Sequence, residues 1–119
     1  MTRAEIKKKL RSRFKKWSYL VEHWGWKFDV YYCDSQEDMP QPGEYADAIT
    51  FMRWEYLEGS IYFNMKKLES KDDDELEYLV IHELSHFLLS PLQTSKNNLE
   101  ISATMVARTI KGLDAKFND

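Results

Sequence analysis

The sequence predicts a small α+β domain: a three-stranded mixed sheet packed with an N-terminal helix, a helix carrying a His-Glu-x-x-His run, and a C-terminal helix. Three observations carry this reading. Apolar residues recur at helical spacing towards both ends of the chain and alternate in its middle. The segments so defined run helix, strand, strand, strand, helix, helix. The chain has 119 residues and 43% hydrophobic content, with four Trp, seven Tyr and six Phe. That suits one domain, residues 1–119, with a modest core, and argues against a disordered chain.

The first helix is predicted from about Thr2 to His23. Ile6, Leu10, Phe14, Trp17, Leu20, Val21 and Trp24 fall within about 120° of a helical wheel, a stripe made to dock on a core. Gly25 stands where such a helix stops. Residues 1–17 carry eight Lys or Arg against one Glu, while the remainder carries nine against nineteen acids. A basic segment of this kind is either a solvated helix face or an anion-binding surface. Lys8, Lys9, Arg11, Lys15 and Lys16 point off the stripe, which favours the solvated face over a nucleic-acid surface. Arg3 and Arg13 fall inside the stripe and break the pattern.

"WKFDVYY" alternates Phe28, Val30 and Tyr32 against Lys27, Asp29 and Tyr31, and reads as a strand. "DSQEDMPQPGEY" is polar and broken by Pro40, Pro42 and Gly43, so it is a long loop. "ADAITFMRWEY" and "SIYFNM" read as a hairpin turning around Leu57–Gly59. "SKDDDELEYLVIHELSHFLLS" is a helix with acids in its first turn and Pro91 near its stop. "NNLEISATMVARTIKGL" is the last helix, opened by Asn97 or Asn98. The four tryptophans, Trp17, Trp24, Trp26 and Trp54, read as core or rim packing.

No apolar run approaches the ~20 residues that span a bilayer, and no apolar stretch follows the basic N-terminus, so neither a membrane span nor a signal peptide is expected. The single cysteine, Cys33, excludes an internal disulfide and suits a reducing cytoplasm. It reads as a small buried strand residue rather than a reactive thiol.

Two of the three histidines stand four apart in "YLVIHELSHFLLSPL", with a glutamate directly after the first. With His82 at 0° on the wheel, His86 lies at about 40° and Glu83 at about 100°, while Leu76, Phe87, Val80, Leu84, Leu88 and Ile81 occupy about 120° to 260°. The histidines therefore stand away from the main apolar stripe. Two imidazoles one turn apart can converge on one Zn²⁺ at ~2.0–2.1 Å, and a catalytic site adds a third protein ligand. Glu83 sits beside the pair, where it can take a proton from water. Zinc polarises a carbonyl and brings the pKa of water down towards ~7. Chance places this five-residue pattern in roughly 0.7% of chains of this composition, so a metal site outweighs a polar helix surface.

"YLVIHELSHFLL" resembles the active-site helix of zincin metallopeptidases. "ADAITFMRWEYLEGSIYFNMKKL" is similar to the strand pair that leads into that helix, and "NNLEISATMVARTI" to the second helix of gluzincins, where a glutamate completes the zinc site. In size and layout the match is to the minimal gluzincin type, including ImmA/IrrE-like and other small phage or prophage metallopeptidases, over residues 46 to about 110. The resemblance implies a zinc-dependent peptidase, a glutamate third ligand, and a protein or peptide substrate bound as an extra strand along a sheet edge. No Gly-x-x-His follows His86, which excludes the metzincin pattern. SprT-like proteases share the layout and bind DNA, but take a histidine as third ligand, and none follows His86.

Glu100 is the expected third ligand. It borders a stripe of Leu99, Val106, Ile110 and Leu113, with small Ala103 and Ala107 near its own azimuth. The competing reading is a first-turn cap residue three positions after Asn97. Asp114 is the reserve, and His23 reads more simply as a helix end. Tyr78, Tyr45, Tyr56 and Tyr62 are candidate oxyanion donors, each with ordinary packing as its alternative. The expected function is metallopeptidase, with zinc on His82, His86 and Glu100 and with Glu83 as general base. The rival is a non-catalytic binding module in which zinc staples two helices and the basic helix meets nucleic acid or protein.

Overall fold

Thr2 opens the first helix: its Oγ1 accepts the Glu5 amide at 3.2 Å, satisfying one of the free N–H groups of the first turn. In the computed structural model, which describes residues 1–40, 46–53 and 55–89, this helix is α1, Arg3–Trp17. A turn at Ser18 separates it from α2, Tyr19–Glu22. The predicted helix is thus two pieces, and Gly25 at φ +91 makes the turn into the sheet, a conformation glycine adopts without strain. Trp24 lies past the last helical turn, 69% exposed, and does not join the core stripe. Ile6, Leu10, Phe14, Trp17 and Val21 do, all buried.

Three strands follow: β1, Lys27–Cys33; β2, Ala48–Arg53; and β3, Glu58–Asn64. Their order is β1-β3-β2, with β1 parallel and β2 antiparallel to β3, so the sheet is mixed. A 3₁₀ turn, Gln36–Asp38, interrupts the loop after β1. The β2–β3 turn falls before Glu58 rather than around Leu57–Gly59. Leu57, not Gly59, takes the positive φ there (+53), and its carbonyl accepts the Lys27 amide at 2.9 Å. Gly59 lies within β3 for a packing reason. A Cβ there would stand 2.2 Å from Cε1 of Phe87 and 2.9 Å from the Phe51 carbonyl oxygen.

A short helix, α3, Met65–Leu68, turns the chain under the sheet and leads to α4, Asp73–Leu89. The start of α4 is a reciprocal cap: Asp72 Oδ1 accepts the Glu75 amide at 2.8 Å, and Glu75 Oε1 accepts the Asp72 amide at 3.3 Å. Helices α1 and α4 cover one face of the sheet, where Phe28, Val30, Ile61, Phe63 and Met52 point inwards. Phe87 of α4 is the hub, with its ring 4.8 Å from Trp26 and 5.6 Å from Phe28. Trp17 and Trp26 are buried as expected; Trp54 lies outside the described residues.

The two arginines that break the α1 stripe have partners. Arg13 Nε lies 2.9 Å from Glu77 Oε2, and Lys16 Nζ lies 3.3 Å from Glu77 Oε1, so both bases meet one buried acid of α4. Arg3 pairs with Asp34 and Glu69, each at 3.1 Å, and Lys9 with Asp73. The Lys9 ammonium holds the Asp73 carboxyl below its ordinary value. The predicted last helix, and with it Glu100 and Asp114, lies outside the described residues.

Candidate metal centre

Helix α4 carries His82, Glu83 and His86, and the α-helical rise sets their spacing. One turn separates the imidazoles, so both rings leave the helix on one side, with centroids 5.0 Å apart and planes at 81°. Each of the three residues offers one ligand atom, and these atoms all lie within 4.8 Å of one another. Glu83 Oε2 is 3.9 Å from His82 Nε2 and 4.0 Å from His86 Nε2. Two imidazoles and a carboxyl group form a donor set of the kind that takes a borderline-soft divalent cation. The group could hold a metal ion.

The surroundings are drier than the helical wheel implies. His82, Glu83 and His86 expose only 14%, 4% and 7% of their side chains. The wheel separates the histidines from the Leu76–Val80–Phe87 stripe, yet the second face is covered as well. Part of that cover is β2, which packs on α4. Its Thr50 donates a hydrogen bond from Oγ1 to Glu83 Oε1 at 3.1 Å. The sequence reading missed Thr50. The available signal was a hydroxyl at an inward position of β2, between inward-facing Ala48 and Met52.

Beside His82 a cleft of about 490 Å³ opens along the first turns of α4, lined by Tyr78, Leu79, Lys71, Asp47, Asp74 and Glu75 among others. Lys71 lies 3.2 Å from Asp47 and 3.7 Å from Glu75, so part of this charge is internally paired. Tyr78, one of the tyrosines singled out above, stands with its ring 6.1 Å from that of His82. Tyr62 stacks on Tyr31 at 4.8 Å on the far face of the sheet, and Tyr56 is 67% exposed in the β2–β3 turn. Tyr45 lies outside the described residues. His23 follows α2, exposed and edge-on to Trp24 at 6.1 Å, and is not part of the cluster.

The order β1-β3-β2 makes β2 an edge strand among the described residues, on the side of the sheet that reaches Glu83. No described helix is long and apolar enough to cross a membrane. No family model, no curated protein and no solved structure matches the chain.

Proposed function

We propose that the chain is a zinc-dependent metallopeptidase of the minimal gluzincin type, hydrolysing a peptide bond in a protein or peptide substrate. The observation that carries the reading is the convergence of His82, His86 and a buried Glu83 at one point of α4. His82 and His86 would hold the ion, with Glu100 as the third ligand. Bound Zn²⁺ supplies Lewis-acid polarisation of the scissile carbonyl and eases the loss of a proton from water.

The chain's own residues do the rest. Glu83 takes the proton of the attacking water at Oε2, the oxygen that faces both imidazoles. It then delivers that proton to the amide nitrogen as the C–N bond breaks, leaving an amine and a carboxylic acid. A substrate lying along β2 as an added strand would gain main-chain hydrogen bonds, and the cleft beside His82 would receive one of its side chains. The low exposure of the three residues keeps bulk water from competing for the polar groups. The single thiol suits action in the cytoplasm.

Glu83→Gln tests the base. It keeps the size of the side chain and both histidines, so the variant folds and retains zinc. Peptide cleavage is expected to fall by about 10²-fold or more, the usual scale for a general base. Cleavage at the parent rate by Glu83→Gln would remove Glu83 from that role.

A further inference from the structure

We propose that Thr50 is the positioning residue that keeps Glu83 a base rather than a metal ligand; the inference rests on the metallopeptidase reading above. Two ligands of a tetrahedral ion at ~2.0–2.1 Å lie about 3.3 Å apart. Glu83 Oε2 stands at 3.9 and 4.0 Å from the two His Nε2 atoms, only slightly further. A small swing of the carboxylate would therefore bring it onto the ion. Bound there, it would fill the position that water needs and could no longer accept a proton from it. Something must restrain that swing, and the restraint has to come from outside α4, because the helix itself delivers Glu83 to the imidazoles.

Thr50 is built for this. It sits on β2 at an inward-facing position, paired in register with Ile61, which is fully buried. The β2–β3 ladder fixes its backbone, and branching at Cβ restricts its χ1, so the hydroxyl is held from two directions. Its neighbours on the inner face, Ala48 and Met52, are apolar. A hydroxyl among them needs a partner, and a carboxylate can only accept, so the hydroxyl donates. The 3.1 Å bond to Oε1 pins one carboxylate oxygen to the sheet and leaves Oε2 towards the histidines. A glutamate has three rotatable bonds. Fixing one of its oxygens on a rigid strand removes most of the freedom by which the other could reach the ion.

The test is zinc affinity, measured by competition with a chromophoric chelator, for the full chain and for Thr50→Val, Thr50→Ser, Glu83→Gln and Thr50→Val/Glu83→Gln. Circular dichroism and urea unfolding establish that each variant is folded. Thr50→Val removes the hydroxyl, so Glu83 joins the ion and zinc binds about tenfold tighter, the scale on which groups beside a metal site alter its affinity. Thr50→Ser keeps the hydroxyl and returns the parent affinity. In the Glu83→Gln background Thr50→Val has no effect, because the swinging carboxylate is gone. A purely structural role for Thr50 would give equal changes with and without Glu83. Parent affinity in folded Thr50→Val, a gain that survives Glu83→Gln, or failure of Thr50→Ser to restore the parent value each overturns the role given to Thr50 and leaves the metal site standing. A parent chain that binds no zinc overturns the metallopeptidase reading, and the role of Thr50 with it.

Discussion

A thiol attacks only as its thiolate, and Cys33 is held in the uncharged form. Burial pushes its pKa up, and the nearby carboxylates of Asp38 and Asp34 push the same way. The thiolate fraction at any neutral pH is therefore below that of a free cysteine. Alkylation by iodoacetamide at pH 7.5 is expected to run severalfold slower than for an unstructured cysteine peptide, and to rise only above the ordinary thiol value of ~8.5. A rate equal to the free peptide would contradict the burial assigned to it. The same scale explains Arg13. On a wheel it is an error in an apolar stripe; in the fold it reaches Glu77, an acid that α4 buries. Each residue looked misplaced or ordinary within its own helix. The reason for either is the other, and no single-helix pattern contains both. Thr50 and Glu83, 33 residues apart, are the same case.

At the scale of elements, long periodic segments were legible and their ends were not. The α1 stripe from Ile6 to Val21 is buried as its spacing requires, but the turn at Ser18 leaves no mark on apolar spacing. The four-residue α3 is too short to show a period at all. The hairpin forms with its turn displaced from Leu57–Gly59, because Gly59 is a turn residue by type while its role here is contact with α4. That role is testable. In Gly59→Ala the new methyl collides with Phe87, with a loss of about 2 kcal/mol in urea unfolding, as overpacked cores show. Adding Phe87→Leu, which withdraws the ring, should make the double variant less destabilised than the sum of the two. Strict additivity would mean that the contact is not the cause.

Arg3, Lys9, Arg13 and Lys16 meet acids of the loop after β1, the α3–α4 segment and α4, and Lys7 lies over the Tyr32 ring at 5.0 Å. These charges, tied to their own chain, have little left for phosphates. Binding to a duplex oligonucleotide is expected to be weak and to vanish by physiological salt, since few counterions would be released. Tight binding at ~150 mM salt would restore the rival reading of a nucleic-acid module.

In the molecule as a whole, the described residues form a mixed sheet with helices α1 and α4 on one face, and the candidate centre forms where α4 meets β2, an edge strand among those residues. Five residues of sequence announced the cluster, because two histidines and a glutamate on adjacent turns need no tertiary information to be brought together. A third ligand would need it, and Glu100 is proposed on the apolar pattern of its own sequence segment together with the gluzincin resemblance. Dialysis followed by metal analysis separates its two readings: Glu100→Ala loses zinc if Glu100 is a ligand, and keeps it if Glu100 only caps a first turn. Whether His82 and His86 hold zinc, the claim beneath every step proposed above, is read from the zinc content of the chain purified without a histidine tag. About one equivalent per chain is predicted in the parent and in Glu83→Gln, and close to none in His86→Ala. A parent without zinc, or a His86→Ala variant that keeps its full equivalent, would contradict the claim.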